Sequence, residues 1–164
     1  SSLLPPETPG ASIAGTIALP HLPRWFPAGI IDATRERLVA TDAIRRLGIK
    51  ARNADATLDQ LSGGNQQKVV LARWQAEPCR LLLLDEPFQG VDVGAREDLI
   101  AAIRGSQGGS ATLIATSDTE EALEVADRIL VMRDHTLISA DGSEGSLAAA
   151  IGGAASASPR KLEP

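Results

Sequence analysis

Three short stretches carry residue types and spacings that suit phosphate chemistry. The first is LLLLDEP, residues 81–87. Its four leucines bring Asp85 and Glu86 to the end of an apolar strand, the edge at which α/β sheets place their ligands. Successive strand residues point to opposite faces, so the two acids divide. One can hold Mg²⁺ through water while the other orients and deprotonates an attacking water, the two tasks that phosphoryl hydrolysis sets. The second is LSGGNQQK, residues 61–68. Ser62 stands where a helix N-cap belongs, and Gly63 and Gly64 let backbone N–H groups approach an anion with no Cβ in the way. The third is GVDVGA, residues 90–95, a loop that contains Asp92. Taken singly, an Asp-Glu pair is a solvated turn and a Ser-Gly-Gly is a capped helix. The leucines before Asp85 and Pro87 after Glu86 move the first of these to a sheet edge.

The elements that position these residues are legible in outline. RLLLLDEP reads as a strand buried on both faces, because its apolar run does not alternate. ATLIAT, residues 111–116, reads as a second. A helix is expected from about Gly63 to Ala76, stopped before Pro78. AREDLIAAIRG forms an amphipathic helix on Leu99, Ile100 and Ile103. SDTEEALEVAD is a helix opened by Ser117, with Glu120 at capping-box spacing. RILVMR and TLISA are strands around a turn at Asp134 and His135. Upstream, Asp32 caps a helix running to about Leu47, with Leu38, Ile44 and Leu47 at helical spacing and Gly48 as its stop. SIAGTIALPHLPRW predicts an extended segment or a short helix between turns, and KARNADATLDQ a polar connector. Residues 1–11 are rich in Pro and Ser and irregular. From Gly152 onward the chain is poor in hydrophobics and is expected to be disordered. Strands separated by helices predict an α/β fold with a mainly parallel sheet, preceded by a mostly helical appendage.

Composition excludes several classes. At 164 residues and 43% hydrophobic the chain suits one domain with a core, and aromatics at 2% leave that core to Leu, Ile, Val and Ala. A net charge of -5 and a pI near 5.0 argue against nucleic acid as a partner. The longest aliphatic run, Leu81 to Leu84, falls far short of the ~20 residues of a membrane span. SSLLPPETPG lacks the basic and apolar regions of a signal peptide. A lone cysteine, Cys79, rules out an internal disulfide and fits a reducing compartment. His21 and His135 have no metal-ligand neighbours, and Trp25 and Trp74 read as packing residues.

In this order, LSGGNQQK, LLLLDEP and GVDVGA resemble the second half of an ATP-binding cassette (ABC) ATPase: its signature motif, Walker B and D-loop. The spacing of 23 positions from Ser62 to Asp85 matches that family. LSGGNQQKVVLARW and DEPFQGVDVGAR are most similar to the C-terminal cassette of monosaccharide importers of the ribose, xylose and galactose type, which carry two cassettes in one polypeptide. The resemblance covers roughly residues 12 to 148. It implies part of a P-loop NTPase sheet with flanking helices and a helical subdomain. It also implies ATP and Mg²⁺ as cofactors. Asp85 would be the acid that holds Mg²⁺ through water, and Glu86 the general base. Asp92 would couple two cassettes. Ser62, Gly63 and Gly64, with Gln66 beside them, would face the γ-phosphate of an ATP held by the other cassette. Ser117 occupies the H-loop position. The implied partners are a second ABC cassette, membrane permease subunits and, indirectly, a periplasmic or extracellular sugar-binding protein, at the cytoplasmic face of a bacterial membrane. On this reading residues 1–60 are an N-terminal connector and helical-subdomain portion. Residues 61–148 are the C-terminal part of the ATPase core, and 149–164 a disordered tail.

The departures from the family pattern matter as much. Where ABC ATPases usually place a histidine that reaches the γ-phosphate, this chain has Ser117 in ATSDTEE. The sugar importers' second cassettes commonly read Ser-Ser-Glu there. A serine reaches less far and carries no charge, which weakens the hydrolytic case. Phe88 and Gln89 stand where Thr and Arg are frequent. The phosphate-binding loop with its lysine, the adenine-stacking aromatic and the glutamine loop would all precede residue 1. Lys50 lacks the required glycines, and Lys68 sits in the signature helix. The expectation is a cassette truncated before residue 1, inactive alone and with part of its sheet bare. Three functions are then weighed: the energising ATPase of a sugar importer, a non-catalytic module that completes a partner's nucleotide site, and the C-terminal lobe of a chromosome-maintenance or DNA-repair ATPase. The last needs a long heptad-bearing helix, which the sequence does not show.

Overall fold

Prolines divide the start of the chain into short pieces. Helix α1 (Ile13–Ala18) opens at Ser12, whose hydroxyl accepts the Gly15 N–H at 3.1 Å. A 3-10 turn at Leu19–His21 and helix α2 (Leu22–Trp25) follow, each with a proline in its first turn, where the missing N–H leaves no helical bond unmade. Helix α3 (Ala33–Arg46) is capped by Asp32, whose carboxylate accepts the N–H groups of Thr34 and Arg35. It ends ahead of Gly48, at φ 59°. Helix α4 (Gly63–Gln75) then runs through the core. The computed structural model describes residues 10–105 and 110–152, in two units that divide after Ala115.

In the first unit, Ile13 and Ile17 of α1, Ala40 and Ala43 of α3, and Val69 and Ala72 of α4 form one apolar cluster. Alanines at the centre let the helices approach closely. That shifts the buried stripe of α3 to Ala40 and Ala43 and leaves Leu38, expected in the core, 67% exposed. A polar tie secures the other end of α4. The Trp25 indole N–H donates to Glu77 at 2.6 Å, and the His21 ring stacks on Trp25 with its Nε2 2.8 Å from the Arg73 carbonyl. The indole bond, with Arg24 nearby, holds the Glu77 carboxyl below its ordinary range. Trp25 is buried as expected, whereas Trp74 is about half exposed beneath the Arg73 guanidinium.

Strand β1 (Leu81–Asp85), helix α5 (Val93–Gly105) and strand β2 (Ala111–Ala115) complete this unit. The strands pair in parallel, Leu81 opposite Ala111 through Asp85 opposite Ala115. Helix α5 buries Leu99, Ile100 and Ile103, the stripe its spacing predicts. The leucine run is not buried on both faces. Leu82 and Leu84 are buried, but Leu81, Leu83 and Leu113 are 54%, 64% and 56% exposed. Paired residues of a parallel ladder share a face, so these three form one apolar surface.

The second unit holds helix α6 (Thr119–Val125), strands β3 (Ile129–Arg133) and β4 (Thr136–Ala140), and helix α7 (Glu144–Gly152). Strands β3 and β4, expected around the turn at Asp134 and His135, pair antiparallel as a hairpin, apart from the parallel pairing of β1 and β2. The two residues between them, Asp134 and His135, both have positive φ, the requirement of a tight hairpin. Asp118 rather than Ser117 caps α6, its carboxylate accepting the Glu120 and Glu121 N–H groups. Helix α7 has no counterpart in the sequence reading and extends into the segment assigned to the tail. Leu147 ties it to Ile129 and Ala140. The irregular N-terminus through residue 9 and the tail from residue 153 lie outside the described residues. Among the described residues no helix is long and apolar enough to cross a membrane.

The two faces of β1 predict opposite mutant behaviour. Leu84→Ala removes buried methyls and should destabilise by about 2–5 kcal/mol. Leu83→Lys should change stability by less than about 0.5 kcal/mol while reducing self-association. Urea unfolding and light scattering check both. Equal losses from the two substitutions would mean that Leu83 is covered.

Candidate functional site

The sheet edge is built from a strained turn. Asp85 closes β1 with its side chain exposed, and Glu86 leaves the strand at φ 45°. A non-glycine residue in this left-handed region carries roughly 1–2 kcal/mol of strain, and such strain concentrates at functional sites. The Glu86 N–H is held by the Ala115 carbonyl at 2.8 Å. Its own carbonyl accepts the Gln89 N–H at 3.2 Å, and Phe88 accepts from Val91 at 3.1 Å. Phe88, 2% exposed, anchors the turn in the core, and Gly90 supplies the second positive φ, 74°. The turn delivers Asp92 to the start of α5. There its carboxylate accepts the Ala95 N–H at 2.9 Å and its carbonyl the Arg96 N–H at 2.8 Å.

The start of α4 is left open. Ser62 has the extended backbone of an N-cap, yet its side chain does not cap the helix as expected. Asn65 takes the hydroxyl instead, donating to Ser62 Oγ at 2.8 Å while its Oδ1 accepts the Lys50 N–H at 2.7 Å. The first N–H groups of α4 therefore lack a side-chain acceptor. Their partial positive charge stands at an exposed surface, since Ser62 and Gly63 are both exposed. Gln66 braces the preceding connector. Its Nε2 donates to the carbonyls of Leu58 (2.9 Å) and Leu61 (3.1 Å), so only Oε1 remains for a ligand.

The two glycines sit directly on the loop that carries Asp92. A methyl added at Gly64 would lie 2.5 Å from Cβ of Ala95 and 3.7 Å from Val91, and one at Gly63 would lie 3.6 Å from the Gly90 carbonyl. One turn further along, the buried Lys68 places Nζ 3.0 Å from Asp98 of α5 and 3.4 Å from the Gly48 carbonyl. The bond from Lys68 keeps the Asp98 carboxyl below its ordinary range. The structure thus brings Ser62, Gly63, Gly64 and the Gly90–Asp92 loop together, and the chain links them to Asp85 and Glu86 through one turn. Ser117 belongs to the second unit. It is exposed, beside Thr116, whose hydroxyl donates to the buried Glu121 at 2.9 Å.

Asn65, Ala95 and Asp98 escaped the sequence reading, which noted Phe88 but gave it no role. A hint existed in the matched spacings of Gly64 and Lys68, four apart, and Ala95 and Asp98, three apart. Among the described residues no group of three or more His, Cys, Asp or Glu is placed to hold a metal. A single exposed carboxylate such as Asp85 suits Mg²⁺, which keeps several waters and takes its other ligands from phosphate.

The model of one protein family, described as ABC transporter, matches residues 8–89, half of the sequence. The chain belongs to the ABC transporter family. Among its ABC relatives, an arabinose import ATP-binding protein (AraG 2) from Burkholderia thailandensis is 46% identical over 125 residues, 75% of this chain and 24% of that protein. A ribose import ATP-binding protein (RbsA) from Chromobacterium violaceum is 38% identical over 158 residues, 93% of this chain and 32% of that protein. The chain thus spans about a quarter to a third of the length of the curated relatives it matches. Among solved ABC structures, a metal-chelate type transporter in an inward-facing conformation superposes with a TM-score of 0.75 at 17% identity, over 91% of this chain and 62% of that one. A dimeric bacterial ABC transporter cassette gives 0.63 at 24%, over 79% and 55%. These likenesses establish the α/β cassette fold.

The close approach at Gly64 yields a graded prediction. Gly64→Ala forces a rigid methyl against Ala95 and should destabilise by about 1–3 kcal/mol. Gly63→Ala, in ordinary contact, should stay within about 1 kcal/mol of wild type. Adding Ala95→Gly to Gly64→Ala should recover most of the loss in denaturant unfolding. A Gly64→Ala chain as stable as wild type would contradict the packing.

Proposed function

We propose that this chain supplies the hydrolytic acids and the phosphate-facing helix start of an ATPase that energises sugar import. The observation that carries the reading is the juxtaposition of the open α4 N-terminus with the loop that links Glu86 to Asp92. Exposed N–H groups and paired acids at a sheet edge suit a nucleotide triphosphate better than any neutral ligand. The sugar names come from the arabinose and ribose import relatives.

In this reading Asp85 holds Mg²⁺ through water. When bound, the ion offsets the negative charge of the phosphates. Glu86 orients a water and accepts its proton as the new bond to the γ-phosphorus forms. The bond to ADP breaks in the same displacement, leaving ADP and phosphate. Ser62, Gly63 and Gly64 face the γ-phosphate of an ATP held by a second ABC cassette, with Gln66 steadying the loop before them. Asp92 lies where two cassettes meet. Residues 61–148 act as the ATPase core portion, and residues 1–60 belong to the connector and helical subdomain. Membrane permease subunits and, through them, a sugar-binding protein complete the assembly at the cytoplasmic face of the membrane.

A second reading has one specific observation in its favour. At the position where the resemblance implies a histidine, the chain has an exposed Ser117. A chain so equipped completes its partner's site through Ser62–Gly64 without hydrolysing ATP on Glu86.

Glu86→Gln in the assembled transporter separates the two. Loss of a general base should slow hydrolysis by about 10²–10⁴-fold and leave MgATP binding largely in place, which single-turnover assays and nucleotide titration measure. Hydrolysis at the wild-type rate would remove Glu86 as the base and leave the second reading.

A further inference from the structure

We propose that Lys68 and Asp98 are positioning residues that lock α4 to α5, so that the phosphate-facing start of α4 and the Asp92 loop move as one piece. The catalytic consequence rests on the proposed function. The lock itself does not.

Gly64 and Lys68 are four residues apart and share one face of α4, while Ala95 and Asp98 are three apart and share one face of α5. The two faces meet at both levels. At the first level the contact is steric, with Gly64 leaving no room for a methyl beside Ala95. At the second it is electrostatic, with Lys68 bonded to Asp98 at 3.0 Å. A steric contact sets how close the helices come but does little to stop one sliding along the other. The ion pair does stop it, because a slip strands the Lys68 ammonium, 4% exposed, with the Gly48 carbonyl as its remaining partner. Sliding matters because Asp92 caps the first turn of α5, through Ala95 and Arg96. Any displacement of α5 therefore moves Asp92 against Ser62 and Gly63. Only the Lys68 end of the pair is buried, the Asp98 side chain being 55% exposed, so the bond adds little net stability and its role is to hold register.

Amide hydrogen exchange on the full chain, without nucleotide, tests this at named bonds. The Gln66 amide, bonded to the Ser62 carbonyl, and the Arg96 amide, bonded to that of Asp92, report the first turns of α4 and α5. The Thr16 and Leu47 amides, bonded within α1 and at the end of α3, serve as references. Asp98→Asn should speed exchange at Gln66 and Arg96 about tenfold relative to the references, as local opening does. Asp98→Glu should restore it. Lys68→Met, which strands no charge and so keeps the chain folded, should give the same local pattern. Acceleration shared equally by all four amides, or by none, overturns the proposal and reduces the pair to ordinary packing. Because no activity is read, this outcome is independent of Glu86→Gln, which tests the ATPase reading.

Discussion

The approach of two backbones at Gly64 is the constraint on which the rest of the first unit depends. Helices usually keep a side chain's width between their axes. Here α4 has no side chain at the crossing and α5 has only the methyl of Ala95. That crossing brings the start of one helix against the loop that opens the other. The Ser-Gly-Gly of LSGGNQQK therefore answers two demands together. Gly63 leaves the helix start exposed, and Gly64 keeps the Asp92 loop close enough to belong to the same surface.

Around this contact the chain accepts local conflicts that a purely structural domain would avoid. Glu86 takes a left-handed backbone, Ser62 gives its hydroxyl to Asn65 and leaves its helix without a side-chain cap, and Lys68 buries a charge. Each departs from the choice that would maximise stability, and departures of this kind gather where function constrains the sequence. Each is also held by a specific neighbour. The Ala115 carbonyl and the buried Phe88 hold the Glu86 turn, Lys50 steadies Asn65, and Asp98 pairs with Lys68.

Much of this was legible before the structure. Asp32, Gly48 and Pro78 bound their helices because capping and proline chemistry are local. The order of LSGGNQQK, LLLLDEP and GVDVGA pointed to the ABC family, which the match over residues 8–89 establishes. What escaped depends on tertiary contact. Nothing in LLLLDEP tells which leucines find cover, and only the register with β2 puts Leu81, Leu83 and Leu113 on one exposed face. Ser117 and Asp118 are both good caps, and the choice between them turns on how the backbone leaves Thr116. Leu38 lost its place in the core to Ala40 and Ala43 because the α1 crossing demands small side chains. The sequence reading places no element after β4 and assigns residues from 149 to the tail, yet Leu147 finds Ile129 and Ala140 and draws a helix there.

The central claim is that α4 and α5 form one rigid body carrying both the open helix start and Asp92. Residual dipolar couplings of the backbone amides in α4 and α5, measured on the full chain in solution, test it most directly. A single alignment tensor should fit both helices at the interaxial orientation of the structure, with undiminished couplings in the first turn of α5. Separate tensors, or couplings averaged toward zero from Val93 to Arg96, would show that the helices move independently and would contradict the claim.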